Sequence, residues 1–378
     1  MMTVGPAPAE IDDTLWVELL TPALDTPVRS PLGLVEVSGR AGSGAYRAVD
    51  IVIAIDLSES TFYPSGADVD LDGTTGEIVG RGARSVSGAY RPIDRWTTDP
   101  DDTIVRAELE AARRLVRRLA LGDWARVGIV TFTGQAKVLA PVGEPAAALE
   151  ALNDIRASLD LTGTNIGAAV HRSLAALRNA PARGERQQIV LVLSDGQPTM
   201  PTPGIHARSY ALNSAKRAAR HGVPVYGFAL GDQSDARSHV LQDMAEATGG
   251  KFVAVEHVAD VVDHLPYTDF AGIEAVDIHN VTTGSDGRAV RIFADGSFDG
   301  FVQLAAGPNL VEITVRTSSG REIRVRRPID FQPLAPASTG DLDALHDTIR
   351  RRTLEMELAK RVRRAPQRNL EIEVLRQP

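Results

Sequence analysis

The 378-residue sequence contains no cysteine. That excludes disulfides, thiolate zinc sites, cysteine nucleophiles and lipid attachment through cysteine. An excess of positive charge is also missing: 41 Lys+Arg stand against 49 Asp+Glu, for a formal charge of −8. A general nucleic-acid binder usually carries a basic surface, so nucleic acid is not an expected partner. The longest apolar runs are strand-sized, as in 49–55 and 189–193, well short of the ~20 residues a membrane span needs. The first eighteen residues carry Glu10, Asp12 and Asp13 and show neither a basic n-region nor an apolar h-region, so they do not read as a signal peptide. The eight histidines form no HxxxH or HExxH motif, which leaves zinc hydrolysis without support. No GxSxG elbow, Walker loop or dinucleotide fingerprint occurs.

What is present is enough apolar material, 43% of residues, for a substantial core and two or three domains. Residues 1–14 are rich in Pro and Ala and read as a loose N-terminus. Over 15–45, Pro22, Pro27 and Pro31 separate two short extended runs, Leu15–Leu20 and Leu34–Gly39. Proline at such places suits edge strands and turns. Between 46 and 268 the texture changes. VDIVIAI, RVGIVTF, QQIVLVL and VPVYGFAL are largely apolar runs rich in β-branched residues, as expected of strands buried on both faces of a parallel sheet. Helical patterns lie between them. In 103–120, Val105, Leu109, Ala112, Val116 and Leu119 recur at spacings of four and three, with Asp99, Asp101 and Asp102 near the start, where the helix dipole favours anions. Alternation of strand and helix predicts a doubly wound, Rossmann-like α/β domain.

Residues 269–333 revert to short strands separated by TGSDG, DGSFDG, AGPN and SSG, the texture of an antiparallel sandwich. About five strands are few for that architecture. The runs in 15–45 are therefore expected to complete a small Ig-like β-sandwich, with the α/β domain inserted in it; the alternative has those runs edging the α/β sheet. A helix is expected over 341–364, followed by a tail, 365–378. Leu342, Leu345, Ile349 and Met356 form its apolar stripe, and Arg352 interrupts the heptad. It reads as a helix docked on its own protein or, alternatively, as a partner-binding or coiled-coil helix.

Three strand-end loops carry chemistry. The first strand ends in Asp56-Leu57-Ser58-Glu59-Ser60, a loop Thr162-Gly163-Thr164-Asn165 precedes a helix, and the third strand ends in Ser194-Asp195-Gly196. Doubly wound folds bind ligands at the C-terminal ends of their strands. Two carboxylates and three hydroxyls converging there are hard oxygen donors suited to Mg²⁺ or Mn²⁺.

This pattern resembles the von Willebrand factor type A (vWA) family, whose metal-ion-dependent adhesion site reads D-x-S-x-S, then T, then D. Asp56, Ser58 and Ser60 match the first element, Thr164 the second and Asp195 the third. The likeness extends to VGIVTF, VPVYGFALGD and ATGGKF. The resemblance implies a site that leaves one metal position for an Asp or Glu of a protein partner. It implies metal-mediated adhesion or interaction rather than catalysis, with hydroxyls such as that of Ser58 serving the metal. The alternative it leaves open is an intracellular partner of a separate AAA+ ATPase.

The sequence departs from the family pattern by an insertion at 61–101 between D-x-S-x-S and the following helix. Within it, Asp68, Asp70 and Asp72 occupy positions 1, 3 and 5 of a calcium-type loop, with Gly73 at 6. Glu77 falls at position 10 rather than 12, so the loop is not a standard EF-hand. Calcium binding by Asp68, Asp70, Asp72 and Glu77 is the expectation; an acidic turn is the plain alternative. Phe62, Tyr63, Tyr90 and Trp96 are candidate partner contacts or local packing. A calcium-type loop beside a sandwich favours an extracytoplasmic setting, and the lack of a leader keeps a cytoplasmic one open.

Overall fold

The computed structural model describes residues 15–24, 26–44, 46–77, 97–155, 162–182, 184–231, 239–255, 257–317, 319–334 and 338–364. The described residues form two compact units. One holds the chain up to Arg47 and again from Tyr267; the other is Ala48–Pro266.

The first unit begins with β1 (Leu15–Thr21), β2 (Val28–Ser30) and β3 (Leu34–Ser43). Pro22, Pro27 and Pro31 fall between these strands, where no ladder hydrogen bond is lost.

The second unit starts with β4 (Val49–Asp56), every residue of which is buried. After it come α1 (Ile104–Leu119), β5 (Ala125–Phe132), β6 (Ala136–Gly143), α2 (Pro145–Asp154) and α3 (Ile166–Arg178). The unit is completed by β7 (Gln187–Ser194), α4 (Ile205–Arg220), β8 (Val225–Leu230), α5 (His239–Thr248), β9 (Phe252–Val255) and α6 (Asp260–His264). Its six-stranded sheet has the order β6-β5-β4-β7-β8-β9, parallel throughout except for antiparallel β6 at one edge. β4 is central, paired with β5 and β7. Successive side chains of a strand point to opposite faces. Val52 and Ala54 therefore face the side of α3, in a core that also holds Ile166, Val170, Ala211, Ala215, Leu241 and Met244. Ile51, Ile53 and Ile55 are equally buried and face the other way, toward the side where α1 contacts α2 and α6. Each fully buried Val, Ile or Leu contributes about 1.5–3 kcal/mol, so β4 is held by burial on both faces. The fold is the α/β arrangement that strand–helix alternation predicts. The one antiparallel strand was not foreseen: β6 alternates irregularly and carries Pro141, which an edge tolerates.

The chain then returns to the first unit with β10 (Ile273–Asn280), β11 (Ser285–Asp286), β12 (Arg288–Ile292), β13 (Ser297–Gln303), β14 (Gly307–Thr317), β15 (Glu322–Pro333) and α7 (Thr339–Arg364). One sheet runs β1-β3-β13-β12 and the other β11-β10-β14-β15-β2. Val35, Val37, Phe298 and Val302 of the first share a core with Ile278, Val311, Ile313, Val315 and Phe331 of the second. Val311, Ile313 and Val315 are buried while the residues between them are only partly so, the alternation of a one-sided strand. Helix α7 contacts β12. Arg352 pairs with Glu36 at 2.9 Å, and its guanidinium lies 4.6 Å from the Phe301 ring centroid. Arg291 forks onto Asp299 at 2.9 and 2.8 Å and also meets Glu355.

Candidate functional site

β4 ends at Asp56, which is wholly buried. Its Oδ1 accepts the backbone N–H of Ser58 at 2.9 Å, folding the chain back at the strand end. A short 3₁₀ turn, Glu59–Phe62, follows, tied by Thr61 Oγ1 donating to the Ser58 carbonyl at 2.9 Å. Leu57 N–H donates to Phe132 O of β5 at 2.8 Å, which fixes the loop to the neighbouring strand.

The loop after β7 meets this turn. Ser194 Oγ donates to Asp56 Oδ2 at 2.5 Å, and Ser60 Oγ donates to Asp195 Oδ1 at 3.0 Å. The Ser58 and Ser60 hydroxyls are 3.4 Å apart. The third loop enters through Gly163, whose φ of 94° suits glycine; a Cβ there would also meet Thr199 Oγ1 at 2.5 Å. Thr164 N–H donates to Thr199 Oγ1 at 2.8 Å. Asn165 caps α3 by accepting from Ala168 N–H at 3.0 Å and donates to Gly134 O at 3.0 Å. The result is a cleft of about 330 Å³ lined by Ser58, Glu59, Ser60, Tyr63, Gly163, Thr164 and Thr199.

The structure thus brings Ser58, Ser60 and Thr164 to one cleft, with Asp56 and Asp195 joined to it through serine hydroxyls. Burial pushes the Asp56 carboxyl up to about 6, against the hydrogen bonds from Ser194 and Ser58. Asp195 keeps part of its surface open, yet its surroundings are dense. Burial first, and the Asp56 carboxylate second, push it up to about 7. Both shifts mark negative charge that the surrounding side chains leave under-compensated.

Three contributors have no role assigned to them from the sequence. Ser194 and Thr199 are hydrogen-bonded neighbours of the site. Glu108 is a fully buried residue of α1, and burial, then Asp56 and Asp195, raise its carboxyl well above the ordinary range. The Asp56 backbone N–H lies near enough to favour its charged form slightly, but neither Glu108 oxygen makes a hydrogen bond of ordinary geometry. The signal for Glu108 was available. It sits at 104+4 and 105+3, on the apolar stripe of the helix.

The insertion and the residue that follows it hold a second group. Asp68, Asp70 and Asp102 present carboxylate oxygens within 4.8 Å of one another. Asp68 accepts Asp72 N–H at 3.0 Å and Gly73 N–H at 2.9 Å. Asp72 turns instead to Thr74, accepting its N–H at 2.8 Å and its hydroxyl at 2.7 Å. Glu77 is placed by its backbone, paired with Thr98. Of the aromatic candidates, Tyr63 lines the cleft, Phe62 closes the 3₁₀ turn, and Tyr90 and Trp96 lie outside the described residues.

Residues 102–265 match the family model for the von Willebrand factor type A domain. Over that span the chain carries a vWA domain. The matched span contains Thr164 and Asp195 and begins after the insertion, so Asp56, Ser58 and Ser60 precede it. No curated protein matches the chain. Among solved structures, an aerotolerance-related membrane protein from Bacteroides fragilis NCTC 9343 is 18% identical, with a TM-score of 0.38, over 58% of this chain and 96% of its own. A von Willebrand factor type A protein from Catenulispora acidiphila is 15% identical, with a TM-score of 0.40, over 88% of this chain and 78% of its own. The ArnB paralog VWA2 from Sulfolobus acidocaldarius is 14% identical, with a TM-score of 0.35, over 91% of this chain and 79% of its own.

Proposed function

We propose that the vWA domain binds a protein partner through a divalent cation, Mg²⁺ or Mn²⁺, held at the cleft by Asp56, Ser58, Ser60, Thr164 and Asp195. One observation carries the reading: hydroxyls from two loops line a single cleft while two carboxylates beside it are pushed toward neutral pH by burial, and Asp195 also by the Asp56 carboxylate. A hard cation is the ligand that relieves this arrangement, because it favours the charged carboxylates and accepts neutral hydroxyl donors. When bound, it supplies a Lewis-acidic position that an Asp or Glu of the partner completes. Ser60 and Ser194 orient the two carboxylates, and Asn165 and Thr199 hold the Thr164 loop. The reading assigns binding rather than turnover. It also takes the two-sheet unit as an Ig-like sandwich, on its strand count and shared core.

The test is a calorimetric titration of chelator-stripped protein with MgCl₂ and MnCl₂, with and without acetate as a carboxylate probe. Wild type should take up either metal and bind it more tightly with acetate present. Asp195→Ala should lose that uptake, and Ser58→Ala should weaken it. Uptake unchanged in Asp195→Ala, or none in wild type even with acetate, would overturn the reading.

A further inference from the structure

The carboxylate group in the insertion is closed by a residue remote from it in sequence. Asp68 and Asp70 belong to the Asp68–Gly73 turn, while Asp102 ends the short 3₁₀ turn just before α1. Two independent observations meet there. The first is geometric: three carboxylate oxygens, one per residue, lie within 4.8 Å of one another, the spacing expected for oxygens on opposite sides of one ion at about 2.4 Å each. The second concerns Asp102 alone. Its side chain is 0% exposed. Its Oδ1 accepts Val69 N–H at 2.6 Å, but its Oδ2 is buried with no hydrogen-bond partner among the described residues. A buried carboxylate oxygen without a donor is costly, and two neighbouring carboxylates make it more so. A cation reverses both effects.

We propose that Asp68, Asp70 and Asp102 bind one Ca²⁺ ion, distinct from the cation of the cleft, which staples the first arm of the insertion to the entrance of α1. Calcium is favoured over magnesium by chemistry. Two of the three donors sit on an irregular, partly exposed turn and the third is buried, and Ca²⁺ accepts irregular shells of six to eight oxygens, whereas Mg²⁺ demands near-ideal octahedra. The ligand set differs from the one the sequence spacing suggests, because Asp72 is engaged by Thr74 and Glu77 pairs through its backbone with Thr98. The staple has a consequence for the cleft. Ser65 N–H donates to Asp102 O at 2.7 Å, and Ile104 N–H donates to Tyr63 O at 3.0 Å. An ion on Asp102 therefore secures the stretch that begins at Tyr63, a cleft-lining residue.

The experiment is a CaCl₂ titration of the full chelator-stripped chain, followed by calorimetry and by melting temperature. Wild type, Asp102→Asn, Asp70→Ala, Asp72→Ala and Asp195→Ala are compared. Asp102→Asn keeps a carbonyl acceptor for Val69 N–H and so should fold. Wild type should take up one Ca²⁺ and melt higher with calcium up to about 1 mM, the range of extracellular modules. The response should persist in Asp195→Ala and Asp72→Ala. It should weaken at least about tenfold in Asp102→Asn and Asp70→Ala, through loss of a charged ligand. A wild-type-like response in Asp102→Asn, its loss in Asp195→Ala, or no response in the wild type would each overturn the proposal.

Discussion

Ser60 donates its hydroxyl to Asp195 Oδ1 at 3.0 Å, joining two strand-end loops 135 residues apart. The bond orients a carboxylate whose surroundings already push it up to about 7. In metal-free protein at pH 8, that carboxylate is a strained, charged neighbour of Asp56. Asp195→Asn keeps an acceptor for Ser60 and removes the charge. Chelated Asp195→Asn should therefore melt at or above the wild-type temperature at pH 8, while Mg²⁺ should no longer raise its melting point. A variant that melts well below wild type in chelator would show that Asp195 serves the fold rather than the ion.

The same shifts set a pH dependence. Asp56 and Asp195 have folded-state values raised to about 6 and about 7, above the ordinary value near 4. A raised value means that their contribution to stability is fully present below about pH 4 and is lost as pH rises through 6 to 7. Metal-free protein should lose on the order of a few kcal/mol between pH 5 and pH 8 from this pair. A cation competes with those protons. The rise in melting temperature on adding Mg²⁺ should therefore be largest at pH 8 and fade toward pH 5. Urea unfolding across that range, with and without Mg²⁺, checks both slopes.

How far the sequence was readable depends on how local each signal was. β4 is visible because a strand buried on both faces needs an unbroken apolar run, and 51–55 is one. Helix α1 was visible through Val105, Leu109, Ala112, Val116 and Leu119, all of them buried. Asp56, Ser58 and Ser60 could be named because they occupy one turn at the end of that strand. Asp102 could not be joined to Asp68 and Asp70. It lies 33 residues from Val69, which it binds, and an Asp before a helix reads as a partner of the dipole. Glu108 is inconspicuous in the sequence because a single acidic residue does not break an apolar stripe. Strand β6 carries little sequence signal because edge strands need not alternate cleanly.

At the other end of β4, Asp50 is buried between two arginines. Arg126 reaches it through Nε at 2.8 Å and Nη2 at 2.5 Å, and Arg186 through Nε at 2.6 Å. Asp50 and Arg126 are both buried. Asp50→Ala strands two guanidinium groups, one of them buried, and should cost about 3–5 kcal/mol in urea unfolding. Asp50 and Asp56 are six residues apart on one strand, about 20 Å at the usual rise, so Mg²⁺ uptake by the folded variant should be unchanged. Loss of uptake in protein shown to be folded would mean that the two ends of β4 are coupled.

Arg352 separates the two readings of the C-terminal helix. As a heptad interruption, it would weaken a coiled coil, and Arg352→Leu would repair the stripe and promote self-association. Its contacts say otherwise: it pairs with Glu36 and stacks over Phe301, while the neighbouring Glu355 meets Arg291. Arg352→Leu should therefore destabilise the two-sheet unit by about 1–2 kcal/mol, the sum of a stacked cation and a partly exposed ion pair. It should leave the oligomeric state as it was. Arg352→Lys should recover only part of the loss, because lysine keeps the charge but not the planar group that covers the ring. Thermal unfolding beside sedimentation measures both quantities. A more stable and more associated Arg352→Leu protein would restore the partner-helix reading.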